Sequence, residues 1–338
     1  MSIIVPFVVN PFYDEREERT RAFWRLLLQL GMYVGGAAIA RLVVWRVWFA
    51  LYGKADPWAI ENPTLWPPLL FSAVQVAVLS VALSSMWFMG RFFDRRPLFG
   101  FGLRIDGRWW LDFGFGLLLG ALLMTGIFLT ELAAGWVTVT GTFETVREGD
   151  PFVPVILAPL VGWVLLGIYE ELVFRGYQLT NMAEGLNFRR LGPRGAIVLA
   201  VVLSSSLFGG FHVWNPSASA ISTVNLALWG GLLLGSSYVL SGRLALPMGL
   251  HIAWNFFEGN VFGFPVSGVE TVGATFLSIE QSGPLLFTGG AFGPEAGVLT
   301  NAASVVGFLL ILLWVRIRSG KVALRTSLAV PPTGMTNR

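Results

Sequence analysis

Eight stretches of this chain are apolar for about the length of one membrane crossing. They lie at roughly 26–52, 66–90, 111–134, 152–180, 196–214, 220–240, 244–262 and 297–317. A hydrocarbon core about 30 Å thick requires about 20 apolar residues in a helix. Open strands cannot span lipid, because their edges would leave backbone groups unpaired. The fold class expected is therefore all-α: a polytopic membrane protein with about eight transmembrane helices. Only 13% of the residues are charged against 54% hydrophobic, with mean hydropathy +0.67. Soluble domains are nearer a quarter charged.

Basic residues divide unevenly between the two sides. The N-terminus, 91–110, 185–195, 241–243 and the C-terminal tail carry four, five, three, one and five Lys or Arg, while the opposite loops carry only Lys54 and Arg147. This asymmetry places both termini in the cytoplasm. The expected division is a cytoplasmic segment 1–25, a single transmembrane domain 26–318, and a disordered tail 319–338 ending beyond Pro331-Pro332. The basic residues flank apolar segments rather than forming one surface, so nucleic acid is not an expected partner; the lipid bilayer is. The run Asp14 to Arg19 is too polar for a cleavable signal. With no cysteine, disulfides, thiolate metal sites and a cysteine nucleophile are excluded.

Ionisable groups inside spans cost about 2.5–3.5 kcal/mol each on insertion scales, and here they come in pairs. Span four ends in Glu170-Glu171-Leu172-Val173-Phe174-Arg175. Glu171 and Arg175 share a helical face and can form an ion pair. Glu170 is rotated by about 100° and stays available as a general base. The chain's two histidines both fall in apolar segments: His212, one turn after Phe208, and His251, one turn before Asn255. A base, a histidine to orient its water and two donors for an oxyanion are what amide hydrolysis requires. Glu170, His212 and His251 also have the donor chemistry of a catalytic zinc site, although His-Glu-x-x-His is absent. Ser204 to Ser206, Ser236, Ser237, Asp112 and Asp150 do not form a serine or aspartyl protease pattern.

Glu170-Glu171-x-x-x-Arg175, Phe208-x-x-x-His212 and His251-x-x-x-Asn255, in this order on separate spans, resemble the CPBP family of CAAX prenyl proteases and bacteriocin-processing proteins. The likeness covers about 160–265. Trp254-Asn255-Phe256-Phe257-Glu258-Gly259, Phe262-Gly263 and, less closely, Gly289-Gly290 with Gly293-Pro294-Glu295 are similar to the bacterial branch. The resemblance implies an intramembrane endopeptidase in a prokaryotic plasma membrane, acting on a peptide or membrane-associated protein, lipidated in the eukaryotic relatives. It implies that Glu170 and His212 activate water and that His251 and Asn255 stabilise the tetrahedral intermediate. Glu171, Arg175 and Phe208 would support them. The family has been described as glutamate-dependent and as metal-dependent. The alternatives are a non-catalytic immunity or scaffold protein of the same fold and, less favoured, a transporter using Glu170, Glu171 and Arg175.

Four further expectations can be checked. Loop 263–296 should be external. Helices four and five should extend about two turns beyond the cytoplasmic face, so that His212 and His251 meet. Arg41 and Arg46 should snorkel or pair with Glu131 or Asp112. The glycine pairs Gly31/Gly35, Gly116/Gly120 and Gly231/Gly235 should pack helices within the chain rather than between copies.

Overall fold

The computed structural model describes residues 10–15, 17–52, 66–270 and 272–331. Lys54, Trp58 and the tail after Pro331 lie outside them. A short ribbon, β1 (Tyr13–Asp14) and β2 (Arg19–Thr20), leads into α1 (Ala22–Tyr52), followed by α2 (Trp66–Met89) and α3 (Gly107–Ala133). Strand β3 (Val137–Thr145) precedes α4 (Phe152–Glu170), which runs on through a π-helical stretch, Glu171–Leu179, into α5 (Thr180–Gly185). After α6 (Gly192–Phe211), α7 (Ala220–Leu226) joins α8 (Leu234–Ser241) through a second π-helical stretch. The chain finishes with α9 (Ala245–Phe256), β4 (Ala274–Gln281), α10 (Leu285–Thr288) and α11 (Val298–Ser319).

Among the described residues, seven continuous helical runs are long and apolar enough to cross a membrane. The protein is an integral helical membrane protein. The eighth expected span, 244–262, is also helical, but α9 and its π-helical end (Phe257–Val261) form a shorter inner rod. Every residue from Ala245 to Asn255 is buried. The outer helices face the other way: α1, α3 and α11 expose Ile39, Leu118 and Leu309, among others, as lipid contact requires.

Glycines let the inner rod pack closely. A side chain at Gly120 would stand 2.5 Å from the Leu250 carbonyl, and one at Gly116 or Gly249 would collide with the facing backbone. Gly231 meets Ser205, and Gly235 meets Val201. These pairs pack within the chain, as expected. Gly31 and Gly35 do not; nothing stands within 4 Å of a Cβ at either position.

One end of the bundle is held by ions. The Glu184 carboxylate receives Arg19 at 2.8 Å, Arg25 at 3.5 Å and also Arg96, while Asp94 faces Arg25 at 3.4 Å and accepts from the Tyr177 hydroxyl at 2.5 Å. These contacts join the N-terminal ribbon, α1, the end of α2 and α5. Asp106 caps α3 by accepting from the Trp109 N–H at 2.9 Å. The Arg243 guanidinium beside Asp106, helped by that cap, holds its carboxyl well below the usual range.

The opposite end carries a two-stranded ribbon beside the helices. β3 and β4 pair antiparallel, from Val137 with Gln281 to Thr145 with Ala274. Asn260 anchors the returning chain, donating to the carbonyls of Val272 at 3.0 Å and Ala274 at 2.7 Å. Residues 289–297 then turn inward and bury Glu295. The tail departs from its expected disorder: the Arg325 N–H bonds Val239 at 2.8 Å, Asn187 bonds the Ala329 carbonyl at 2.8 Å, and Ala329 is fully buried. Packing against α5 and α6 orders residues 320–331.

Candidate active site

The π-helical stretch begins immediately after Glu170. A π turn inserts extra residues into the α ladder and shifts the faces that follow. Glu170, the last residue before it, looks into a cavity of about 520 Å³, while Glu171 points into the protein with 0% side-chain exposure. Arg175 lies 2.7 Å from Glu171, as the i,i+4 spacing implied, and is itself 1% exposed. Its guanidinium also donates to the Gly230 carbonyl and sits 4.3 Å over the Phe208 ring. Charge, hydrogen bonding and cation–π contact together compensate a cation that burial alone would make costly.

His251 reaches this pair from α9. Its Nδ1 is 2.8 Å from Glu171 Oε1. A carboxylate accepts, so Nδ1–H is the donor. The other ring nitrogen, Nε2, faces Glu170 Oε2 at 3.7 Å. Asn255, one turn further along α9, lines the same cavity. His212 is held differently. Its Nδ1 lies 2.8 Å from the Phe208 carbonyl, and its ring centroid lies 4.8 Å from that of Phe208. Since a carbonyl only accepts, Nδ1 carries the proton, and neutral His212 keeps a free lone pair on Nε2. Phe208 thus has two jobs: its carbonyl fixes the His212 tautomer and its ring covers Arg175.

Three helical segments therefore bring Glu170, His212, His251 and Asn255 to one cavity, with Glu171, Arg175 and Phe208 behind them. Glu170 Oε2 has no hydrogen-bond partner among the described residues. A buried carboxylate oxygen without a donor lacks the solvation that a nearby water or substrate would supply.

Residues 152–257 match the family of type II CAAX prenyl endopeptidases described as Rce1-like. The match covers the core of the chain. No curated protein and no solved structure matches the chain. The match ends two residues beyond Asn255, so it includes all seven residues named from the sequence. The Rce1-like core points to a CAAX-type intramembrane protease.

Outside that core, the cavity has walls that the motifs did not announce. Glu295 lines it from the inturned 289–297 segment, where Ser267 Oγ donates to its carboxylate. Burial pushes the Glu295 carboxyl up to about 7. Glu258, on the π-helical end of the inner rod, is its buried neighbour. The Gly-Gly-x-x-Gly-Pro-Glu run was the signal for Glu295, since glycines with positive φ at 289, 290 and 293 let the chain turn back on itself.

The two acids offered to Arg41 have other partners. Glu131 accepts from Gln281 at 2.8 Å, and Asp112 accepts from the Trp314 indole at 3.0 Å and faces Arg318 at 3.5 Å. With both acids engaged elsewhere, Arg41 instead stands at the cavity wall beside Val34 and Ala38 of α1. Among the described residues, no three His, Cys, Asp or Glu side chains are grouped to hold a metal ion. Glu170, His212 and His251 line the cavity together without forming such a group.

Proposed function

We propose that this protein is an intramembrane endopeptidase in which Glu170 and His212 activate a water molecule. The unpartnered Glu170 oxygen in a cavity shared with both histidines carries this reading. A water between Glu170 and His212 Nε2 loses a proton as its oxygen attacks the scissile carbonyl carbon. The resulting oxyanion faces the Asn255 side-chain amide, which donates to it, and the His251 ring. When the tetrahedral intermediate collapses, the C–N bond breaks and the amine leaves with the proton the base had taken. Glu171 and Arg175 do not touch substrate; they fix the ring plane of His251. No step in this scheme passes through a metal.

The 34-residue run Phe152–Gly185 is about 51 Å long, beyond the thickness of the hydrocarbon core. Its first 19 residues end at Glu170, about 28 Å along. On the reading that both termini are cytoplasmic, this length supports a site near the cytoplasmic leaflet of a prokaryotic plasma membrane. Val34, exposed on α1, and Trp214, 80% exposed after α6, both line the cavity. An opening between them suits a substrate held by the bilayer, such as a lipidated peptide.

The decisive assay uses purified protein in liposomes with prenylated and unprenylated fluorogenic peptides, each with and without a chelator. Cleavage lost in Glu170→Gln, with melting temperature unchanged, is the expected result. Undiminished cleavage by that variant removes the mechanism. Loss of wild-type cleavage on chelation would move Glu170, His212 and His251 to a zinc site. A non-catalytic scaffold role would survive only if biological activity persisted in Glu170→Gln.

A further inference from the structure

A second cavity, of about 610 Å³, lies at the arginine-rich end of the bundle and shares no lining residue with the first. Five arginines line it: Arg104 and Arg108 at the start of α3, Arg243 in the turn before α9, Arg318 in the last turn of α11, and Arg325 in the tail. Asp112 is the one acid among the lining residues. Arg318 faces Asp112 at 3.5 Å, and Arg243 forks onto Asp106, with its Nη2 3.0 Å from Oδ2. Arg104 stands 4.0 Å from the same Asp106. Arg108 and Arg325 face no carboxylate at ion-pair distance among the described residues. Even counting Asp106 beside it, the pocket sets five guanidinium groups against two carboxylates.

Like charges gathered around one cavity repel, and an anion between them removes the penalty. Guanidinium forks match phosphate oxygens in particular. The surface beside the pocket narrows the choice of anion. Trp110 and Leu111 of α3 and Leu313 and Ile317 of α11 expose between 54% and 68% of their surface. These apolar side chains face outward on the two helices whose ends form the pocket. A ligand bridging both surfaces needs a phosphate head and acyl chains. Residues after Gly320 bring Arg325 back over Gly242, adding a fifth cation to the pocket.

We propose that this pocket binds the headgroup of one anionic phospholipid, whose chains lie along α3 and α11. The test uses the full chain in mild detergent. Native mass spectrometry follows retention of phosphatidylglycerol and phosphatidylcholine, with inorganic phosphate and glycerol 3-phosphate as soluble competitors. One phosphatidylglycerol per chain should be retained over phosphatidylcholine. Arg108→Ala with Arg325→Ala should weaken it about 30-fold, at roughly 1 kcal/mol per basic residue near the membrane surface. Both side chains are exposed, so the double variant should fold, and its unchanged melting temperature in detergent verifies this. Equal retention of both lipids, or undiminished phosphatidylglycerol retention in the folded double variant, overturns the proposal. Displacement of lipid by submillimolar inorganic phosphate overturns it too, by making the pocket a site for soluble phosphate.

Discussion

Replacing Glu171 by Gln should leave the Arg175 guanidinium buried without its counter-charge and His251 without its carboxylate acceptor. Breaking a buried pair in this way costs about 3–5 kcal/mol, so a large fall in melting temperature is expected along with lost cleavage. Glu170→Gln sits one residue away and should leave stability intact, because Glu170 is an available carboxylate on the cavity wall. Melting curves of the two variants side by side test this division; equal stability would show that Glu171 and Arg175 are not a supporting pair. Glu295 gives a pH signature. Its folded-state value of about 7 lies above the ordinary glutamate value of about 4.3. Folding favours the protonated form, so that contribution is complete below about pH 4.3 and is lost as pH rises through about 7. Thermal melts from pH 5 to 8 should show wild-type stability falling across this interval and a flatter profile for Glu295→Gln. Parallel profiles would mean that Glu295 does not titrate there.

At the scale of elements, the site depends on how closely α3 carries the inner rod. Gly120→Leu should push α9 away from α3, displacing His251 and Asn255 together, and should cost both stability and cleavage. Gly31→Leu, facing open space on α1, should cost neither. Comparing melting temperature and turnover for the two checks that assignment. All seven motif residues, and the side-by-side exposure of Glu170 and burial of Glu171, were legible because helical spacing is local. The β3–β4 ribbon was not recognised, although Val137-Thr138-Val139-Thr140 and Thr142-Phe143 are a strand-like run of β-branched and aromatic residues. Its partner strand is more than 120 positions away, and no periodicity in one segment reveals a pairing of that range. The inturned Glu295 and the position of Arg41 on the cavity wall were hidden for the same reason: each is set by tertiary packing. Glu184 shows how strongly such packing can be built. Glu184→Ala would strip the shared carboxylate from Arg19, Arg25 and Arg96, and a loss of about 3–5 kcal/mol should appear as a lowered melting temperature.

For the molecule as a whole, the bundle has two chemically distinct ends. One gathers the buried ion cluster around Glu184 and the arginine pocket. The other carries the β3–β4 ribbon, where Arg147 is the only basic residue between α3 and α4. From the charge asymmetry we propose that the first end is cytoplasmic, an orientation that would decide from which leaflet a substrate reaches Glu170. The absence of cysteine makes the assignment directly measurable, because any introduced thiol is the only one in the chain. Thr142→Cys in the ribbon and Lys321→Cys after α11 are both exposed positions. In intact cells, a membrane-impermeant maleimide should label Thr142→Cys and leave Lys321→Cys unmodified until the membrane is permeabilised. The opposite pattern would invert the protein, place the catalytic cavity near the outer leaflet and exclude cytoplasmic peptides as its substrates. Labelling at both positions in intact cells would mean that the two ends share a side, which a bundle of this connectivity does not allow.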